Sequence, residues 1–229
     1  MSATHPSPDC TAILVAAGSS LRMGMDKLAW PLAGVPVLRR TLEAFLAADS
    51  IAAVVVVCPP ERWELLGGKD FPKPVTRVDG GANRQDSVVC GLAAINPHTC
   101  YVAVHDGARP LIAPQDIDRC VAAAMTHRAA TLASRVTETM QRSDDGDFSA
   151  AVVSRERLWR METPQVFETS LLGDAYAVVA ARGLVVTDEV TAVQALGGRV
   201  KFVESRQPNV KITTRADLAL ATALLTIHP

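Results

Sequence analysis

The stretch Ala16-Ala17-Gly18-Ser19-Ser20-Leu21-Arg22-Met23-Gly24-Met25-Asp26-Lys27 has the residue types needed to hold a polyanion. Small residues and Gly18 let a backbone approach a ligand closely, and the exposed N–H groups of such a loop can form an anion-binding nest. Arg22 and Lys27 add the cations that a triphosphate requires. The spacing fits neither the Walker loop nor the dinucleotide fingerprint, so neither a P-loop ATPase nor a dehydrogenase is favoured. A glycine-rich connector with two solvated charges is the competing reading, and the loop alone does not choose between them.

Other segments extend the chemistry. Asp79-Gly80-Gly81-Ala82-Asn83-Arg84-Gln85-Asp86-Ser87 precedes a helical pattern over Val88–Ile95. Its paired glycines permit the close approach that reading a flat base edge needs, and the Ser87 hydroxyl can add one hydrogen bond; an ordinary turn into a helix explains the segment as well. In Val104-His105-Asp106-Gly107-Ala108-Arg109-Pro110, Asp106 stands at the end of an apolar run, where a carboxylate can bind Mg²⁺ together with substrate phosphate oxygens. Arg109 can hold a second phosphate. His105 has no candidate nucleophile beside it and reads as structural. Asn209-Val210-Lys211-Ile212-Thr213 places Lys211 among apolar neighbours in what reads as a short strand; an edge lysine facing water is the alternative.

These segments need a scaffold that brings them to one edge. The apolar runs Ala12–Ala17, Ala52–Val57 and Tyr101–Val104 read as buried strands, with weaker candidates at Val75–Val78 and Ala129–Ser134. Between them, Leu38, Leu42, Phe45 and Leu46 share one face of a helix over Val37–Ala48. Pro114 opens another helix, with Ile117, Val121 and Met125 facing inward. Further helices are expected near Ser170–Ala181 and Asp188–Leu196, then a strand at Val200–Val203. A last helix is opened by Thr214, with Asp217 in a capping-box relation. The alternation predicts an α/β, Rossmann-like layered domain with a mostly parallel sheet and helices on both faces. It lapses over residues 136–158, where polar residues around Asp144-Asp145-Gly146 suggest a projecting β-arm. The expected organisation is one domain over 1–229, with 136–158 as the arm.

With 48% hydrophobic residues, the chain has material for a substantial core; a formal net charge of −1 disfavours a general nucleic-acid or anionic-membrane binder. The scattered cysteines show no CxxC pair, and Cys58, Cys90, Cys100 and Cys120 read as small buried residues. The N-terminal residues lack an apolar signal core, and no apolar run is long enough to span a bilayer. A cytoplasmic protein with small-molecule partners is expected.

In this order, the segments resemble the 2-C-methyl-D-erythritol 4-phosphate cytidylyltransferase family of the non-mevalonate isoprenoid pathway, from about Thr11 to Leu225. The distinctive matches are HDGARP at 105–110, ETP-Q at 162–165, TDE at 187–189 and NVKIT at 209–213. The resemblance implies transfer of CMP from CTP to methylerythritol phosphate with Mg²⁺ or another divalent ion. It places Ala16, Ala17, Gly18, Arg22 and Lys27 on the triphosphate, and Gly81, Ala82 and Ser87 on cytosine. Asp106 is implied to be metal-proximal and Arg109 to bind the substrate phosphate. Lys211 would act with Lys27 on the transition state and Arg22 on the departing pyrophosphate. Thr139, Arg155, Thr163 and Thr187 would grip the acceptor, the first two supplied by a partner subunit in an arm-exchanged homodimer. Gln141 departs from the family, standing where a lysine is common. The chain ends soon after its last helix, so no fused downstream enzyme is expected. The alternatives are a ribitol-5-phosphate cytidylyltransferase, a more distant sugar-1-phosphate nucleotidyltransferase and a non-catalytic nucleotide-sensing module.

Overall fold

A computed structural model describes residues 10–18, 26–67 and 70–227. In chain order the elements begin with β1 (Cys10–Val15), the short antiparallel pair β2 (Pro31–Leu32) and β3 (Val35–Pro36), α1 (Val37–Ala47), β4 (Ile51–Val57) and α2 (Pro60–Glu64). They continue with β5 (Val75–Val78), α3 (Arg84–Ala93), β6 (Tyr101–Asp106), α4 (Pro114–His127) and β7 (Ala129–Arg135). After β8 (Met140–Ser143) and β9 (Ser149–Val153) come β10 (Trp159–Glu168), α5 (Thr169–Ala181), α6 (Glu189–Ala195), β11 (Lys201–Glu204) and α7 (Arg215–Ile227).

The main sheet has seven strands in the order β11-β7-β10-β6-β1-β4-β5. β10 runs antiparallel to both of its neighbours, and every other pairing is parallel. Alternate residues of a strand face opposite sides of a sheet, and here both sides are covered. Ala12 and Leu14 of β1 join Leu38, Leu42 and Phe45 of α1, Ile117 and Val121 of α4, and Leu218 of α7 in one core cluster. Ile13 joins Val88 of α3, Leu172 and Val179 of α5, and Val193 of α6 in the other. Each fully buried Leu or Phe contributes roughly 1.5–3 kcal/mol relative to exposure, which holds the strand ends as a rigid edge.

Local signals set the helix starts. Asn83 caps α3, its side chain accepting from the Asp86 N–H at 2.9 Å, so this helix begins at Arg84, ahead of the apolar pattern. Asp188 caps α6 by accepting from the Thr191 N–H at 2.9 Å. Before α7, Thr214 and Asp217 exchange the reciprocal bonds of a capping box, at 2.8 and 3.3 Å.

Several expectations need correction. Met125 of α4 is 50% exposed, and Cys120 and Ala124 turn inward instead. Cys100 is exposed and Cys90 half-buried. Lys211 lies in an irregular segment, not in a strand. β10 has no counterpart in the sequence reading, because Glu162, Thr163 and Gln165 interrupt its hydrophobicity while being buried in the sheet. Within 136–158, β8 and β9 pair antiparallel with each other, forming a separate two-stranded sheet.

Candidate active site

β1 is the strand at which the order of connection reverses. β4 lies on one side of it and β6 on the other, and Val15 is in register with Asp106. In open α/β sheets, ligands bind beyond the carboxyl ends of the strands at such a switch point. The segment entered through Ala16 and the segment Asp106–Pro110 leave the sheet side by side there. The Gly107 N–H donates to the Val15 carbonyl at 2.9 Å, and the Thr41 hydroxyl donates to the Gly107 carbonyl at 3.0 Å.

Asp106 is the centre of this edge. Lys211 Nζ lies 2.8 Å from its Oδ2, Arg109 Nε 3.5 Å from the same oxygen, and Arg84 Nε 3.2 Å from Oδ1. Burial pushes the carboxyl up, but Arg84, Lys211 and Arg109 outweigh it and hold it well below the usual carboxylate range. Arg84 also makes a two-pronged pair with Glu189, Nη1 to Oε1 at 2.8 Å and Nη2 to Oε2 at 3.0 Å. Tyr176 Oη donates to the same Oε1 at 3.0 Å. Glu189 is fully buried, and such a carboxylate is tolerated only when paired and hydrogen-bonded. The first residues of α3 and α6 are thereby tied to the last residue of β6.

Lys211 is brought in by docking of its segment. The Ile212 N–H donates to the Ala108 carbonyl at 2.8 Å, Arg109 Nη1 to the Asn209 carbonyl at 2.8 Å, and Asn209 Nδ2 to the Thr163 carbonyl at 2.7 Å. Arg109 is itself drawn down from its ordinary pKa by burial, with Asp106 opposing.

His105 is fully buried, and burial pushes its pKa down to about 3. The Asp106 N–H donates to Thr163 Oγ1 at 3.2 Å, which leaves that hydroxyl free to donate to His105 Nδ1 at 2.9 Å. His105 Nε2–H then donates to the Arg109 carbonyl at 3.3 Å. This neutral imidazole has both nitrogens engaged, so its role is structural. Thr163, read from the sequence as an acceptor contact, is buried and its hydroxyl proton is committed inward.

The second glycine-rich segment folds on itself. The Gly81 N–H donates to Ser87 Oγ at 3.2 Å, and Ser87 Oγ donates to the Asn83 carbonyl at 2.8 Å. A Cβ on Gly80 would fall 2.2 Å from that of Ala17, and one on Gly81 2.9 Å from the Asp86 backbone carbonyl carbon. These glycines are required by the chain's own close approach, which also sets this segment against the one after β1. Gly81 and Ala82 are exposed, Ala17 is half-buried and Ala16 is buried.

Arg22 lies outside the described residues. Lys27 is half-buried between Asp26 and the buried Leu28. Thr187 is exposed just ahead of the Asp188 cap. Thr139 and Arg155 flank the β8–β9 hairpin, where Arg155 donates to the Thr137 carbonyl. The structure therefore gathers Asp106, Arg109, Thr163 and Lys211 into one bonded cluster and sets Gly80, at the start of the second glycine-rich segment, beside Ala17. The sequence reading gave no role to Arg84, Glu189 and Asn209, which complete the cluster. The position of Arg84 at the mouth of a helix was its one visible signal.

No group of three His, Cys, Asp or Glu side chains suited to a metal occurs among the described residues. With cations on both oxygens, Asp106 does not form part of a protein cage for a divalent ion. It fits at most as the single carboxylate beside an ion whose other ligands are phosphate oxygens and water, a common arrangement for Mg²⁺. No described helix is long and apolar enough to cross a membrane.

The family model described as IspD, 2-C-methyl-D-erythritol 4-phosphate cytidylyltransferase, matches residues 10–227. The chain is 41% identical over 218 residues to the 2-C-methyl-D-erythritol 4-phosphate cytidylyltransferase of Aeromonas hydrophila, covering 93% of this chain and 88% of that one. It is 39% identical over 222 residues to the enzyme of that name from Prochlorococcus marinus, covering 94% and 98%. Among solved structures, the Thermus thermophilus enzyme of the same name superposes with a TM-score of 0.77 at 34% identity, covering 94% of this chain and 98% of its own. The 4-diphosphocytidyl-2C-methyl-D-erythritol synthase of Anaerococcus prevotii gives 0.84 at 27% identity, covering 96% and 97%.

Proposed function

The chain belongs to the 2-C-methyl-D-erythritol 4-phosphate cytidylyltransferase family, and from that premise we propose that it transfers CMP from CTP to 2-C-methyl-D-erythritol 4-phosphate in isoprenoid precursor biosynthesis. The products are 4-diphosphocytidyl-2-C-methyl-D-erythritol and pyrophosphate. The observation that carries the reading is the cluster of Arg84, Arg109 and Lys211 around Asp106, beside the end of β1.

An oxygen of the acceptor's phosphate attacks the α-phosphorus of CTP in line. A new P–O bond forms, and the bond to the β-phosphate breaks with its electron pair leaving on pyrophosphate. A phosphate monoester has its second pKa near ~6 and is already mostly dianionic at neutral pH. No general base is needed, in keeping with a neutral, fully engaged His105. The demand is for alignment and neutralisation of two anions. Lys211 and Lys27 supply charge around the α-phosphorus, and Arg22 holds the pyrophosphate. Asp106 would be the one protein carboxylate beside a Mg²⁺ carried by the triphosphate, and such an ion would offset phosphate charge. Backbone at Ala16, Ala17 and Gly18 cradles the phosphates. Gly81 and Ala82 offer backbone to the cytosine edge, and Ser87 keeps a lone pair for its amino group. Arg109 takes the acceptor phosphate, with Thr187 beside it and Thr163 acting chiefly through His105 and Asp106.

The working form we infer is a cytoplasmic homodimer of single-domain subunits. The 136–158 arms exchange, so that each subunit's Thr139 and Arg155 serve the other's acceptor site. Exposed Phe148 and Val152 on the hairpin, 76% and 72% accessible, supply apolar surface for such an exchange.

The deciding experiment measures pyrophosphate release with each nucleoside triphosphate, offering methylerythritol phosphate or ribitol 5-phosphate. Release is expected with CTP and methylerythritol phosphate. Turnover with ribitol phosphate alone would overturn the acceptor, and no release with any pair would overturn the reaction.

A further inference from the structure

One buried side chain outside this reaction scheme holds both flanks of the segment that carries Lys27. Arg62 of α2 is 8% exposed. Its Nε donates to Asp26 Oδ2 at 2.8 Å, and its Nη1 donates to the carbonyl oxygen of Ala16. Ala16 is the first residue beyond β1, and Asp26 immediately precedes Lys27. The fork of a guanidinium can serve a carboxylate and a carbonyl at once, which a lysine's single ammonium cannot do with fixed geometry.

Each flank is in turn anchored to the core. Asp26 Oδ1 accepts from the Leu28 N–H at 3.1 Å. Leu28 is 3% exposed, and its carbonyl accepts from the Leu38 N–H at 3.1 Å. The Ala16 N–H donates to the Val57 carbonyl at 2.8 Å, at the end of the strand that leads into α2. Lys27 thus follows an ion-paired residue and precedes a packed one, and Arg62 sets the separation of Ala16 from Asp26.

We propose that Arg62 is a positioning residue for nucleotide transfer: it clamps Ala16 and Asp26 so that the Ala16 backbone and the Lys27 ammonium are correctly spaced before CTP arrives. This rests on the reading that the segment holds the triphosphate. Arg62 touches neither substrate; it acts through Asp26 and Ala16. The cost of losing it should therefore fall on the nucleotide and on turnover, and spare the acceptor.

The test compares Arg62→Met, Arg62→Lys and Asp26→Asn with the unmodified chain. Each substrate is varied in turn, CTP affinity is measured by calorimetry without acceptor, and unfolding midpoints are recorded. Arg62→Met should raise the KM for CTP and lower kcat, together costing about 10²-fold in kcat/KM for CTP, as a misplaced catalytic group does. The acceptor KM should stay within about twofold, and Arg62→Lys should recover part of the loss. Asp26→Asn should move the same parameters less, and combining it with Arg62→Met should add little, because the two residues share one interaction. A folded Arg62→Met protein whose CTP affinity, CTP KM and kcat stay within about twofold of the unmodified chain overturns the proposal, as does a loss that falls equally on the acceptor KM. If Arg62→Met does not fold, Arg62→Lys and Asp26→Asn decide by the same criteria. Failure of the proposed reaction would show in the unmodified chain as no pyrophosphate from CTP, whereas failure of the clamp shows only as variants that match it.

Discussion

Lys211 Nζ sits 2.8 Å from Asp106 Oδ2, joining the irregular segment before α7 to the last residue of β6. The pair gives Asp106 a task that needs no direct bond to a metal: it holds the Lys211 ammonium at the sheet edge, where we propose that it acts on the transition state. Lys211→Ala should lower kcat on the order of 10²-fold or more, the usual cost of removing one electrostatic stabiliser of a transition state. Lys211→Arg should retain part of the rate. A near-normal kcat in the alanine variant would remove Lys211 from the mechanism.

Glu189 and Arg84 form the buried support behind that pair. Replacing Glu189 with Gln leaves the Arg84 guanidinium short of its main counter-charge and should destabilise the fold by roughly 3–5 kcal/mol, the range for breaking a buried pair. Denaturant titration reads this directly. A change below about 1 kcal/mol would show that Asp106 alone suffices for Arg84.

His105 makes stability depend on pH. Its folded pKa is pushed down to about 3, against an ordinary value of 6.5. The unfolded chain therefore binds a proton that the folded chain refuses, and the stability this gives is full above about pH 6.5 and drains away as pH falls toward 3. At pH 5 the loss relative to pH 8 should be about 2 kcal/mol. His105→Gln should flatten this slope between pH 7 and 4 in thermal unfolding; an unchanged slope would assign it to other groups.

Activity should follow a different group. Asp106 stays ionised far into acid, and His105 stays neutral. The acid limb of kcat/KM for the acceptor should therefore lie near ~6, at the second ionisation of the substrate's phosphate. Substituting a phosphonate acceptor of higher second pKa should move the limb upward, whereas a limb that ignores this change would point to an enzyme group.

The arm carries its own prediction. If Arg155 serves the neighbouring subunit, Lys27→Ala and Arg155→Ala proteins, each weak alone, should regain activity when mixed and allowed to exchange subunits. In the mixed dimer one site then carries neither substitution. No recovery, with exchange verified by mass, would place both residues in the same subunit's site.

The layered α/β architecture was legible without coordinates. Buried parallel strands are largely apolar, as in AAVVVV at 52–57, and several helices carry an apolar stripe or an evident cap, as at Leu38–Leu42 and Thr214–Asp217, whereas α2, whose buried residue is Arg62, had neither and no counterpart in the sequence reading. Asp106 stood out at the end of an apolar run, Arg109 three residues beyond it, and Lys211 between apolar neighbours. β10 did not, because its interior is polar: Gln165 is satisfied by Asp188 Oδ2 at 3.0 Å and by the Val190 N–H at 3.0 Å, partners distant in sequence. Hydrophobic periodicity registers only local patterns and cannot see such long-range satisfaction.

The order of residues by itself therefore determined the fold class, which follows from local propensity and hydrophobic pattern, and, through the resemblance its motifs carry, the family and its reaction. Only the tertiary structure decided which charges meet. Arg84 became a bridge between Asp106 and Glu189, Arg62 a tie between Ala16 and Asp26, and His105 a neutral strut. Each of these roles follows from burial, which penalises a charge or polar hydrogen left unpaired, and partners are chosen by proximity in space, not along the chain.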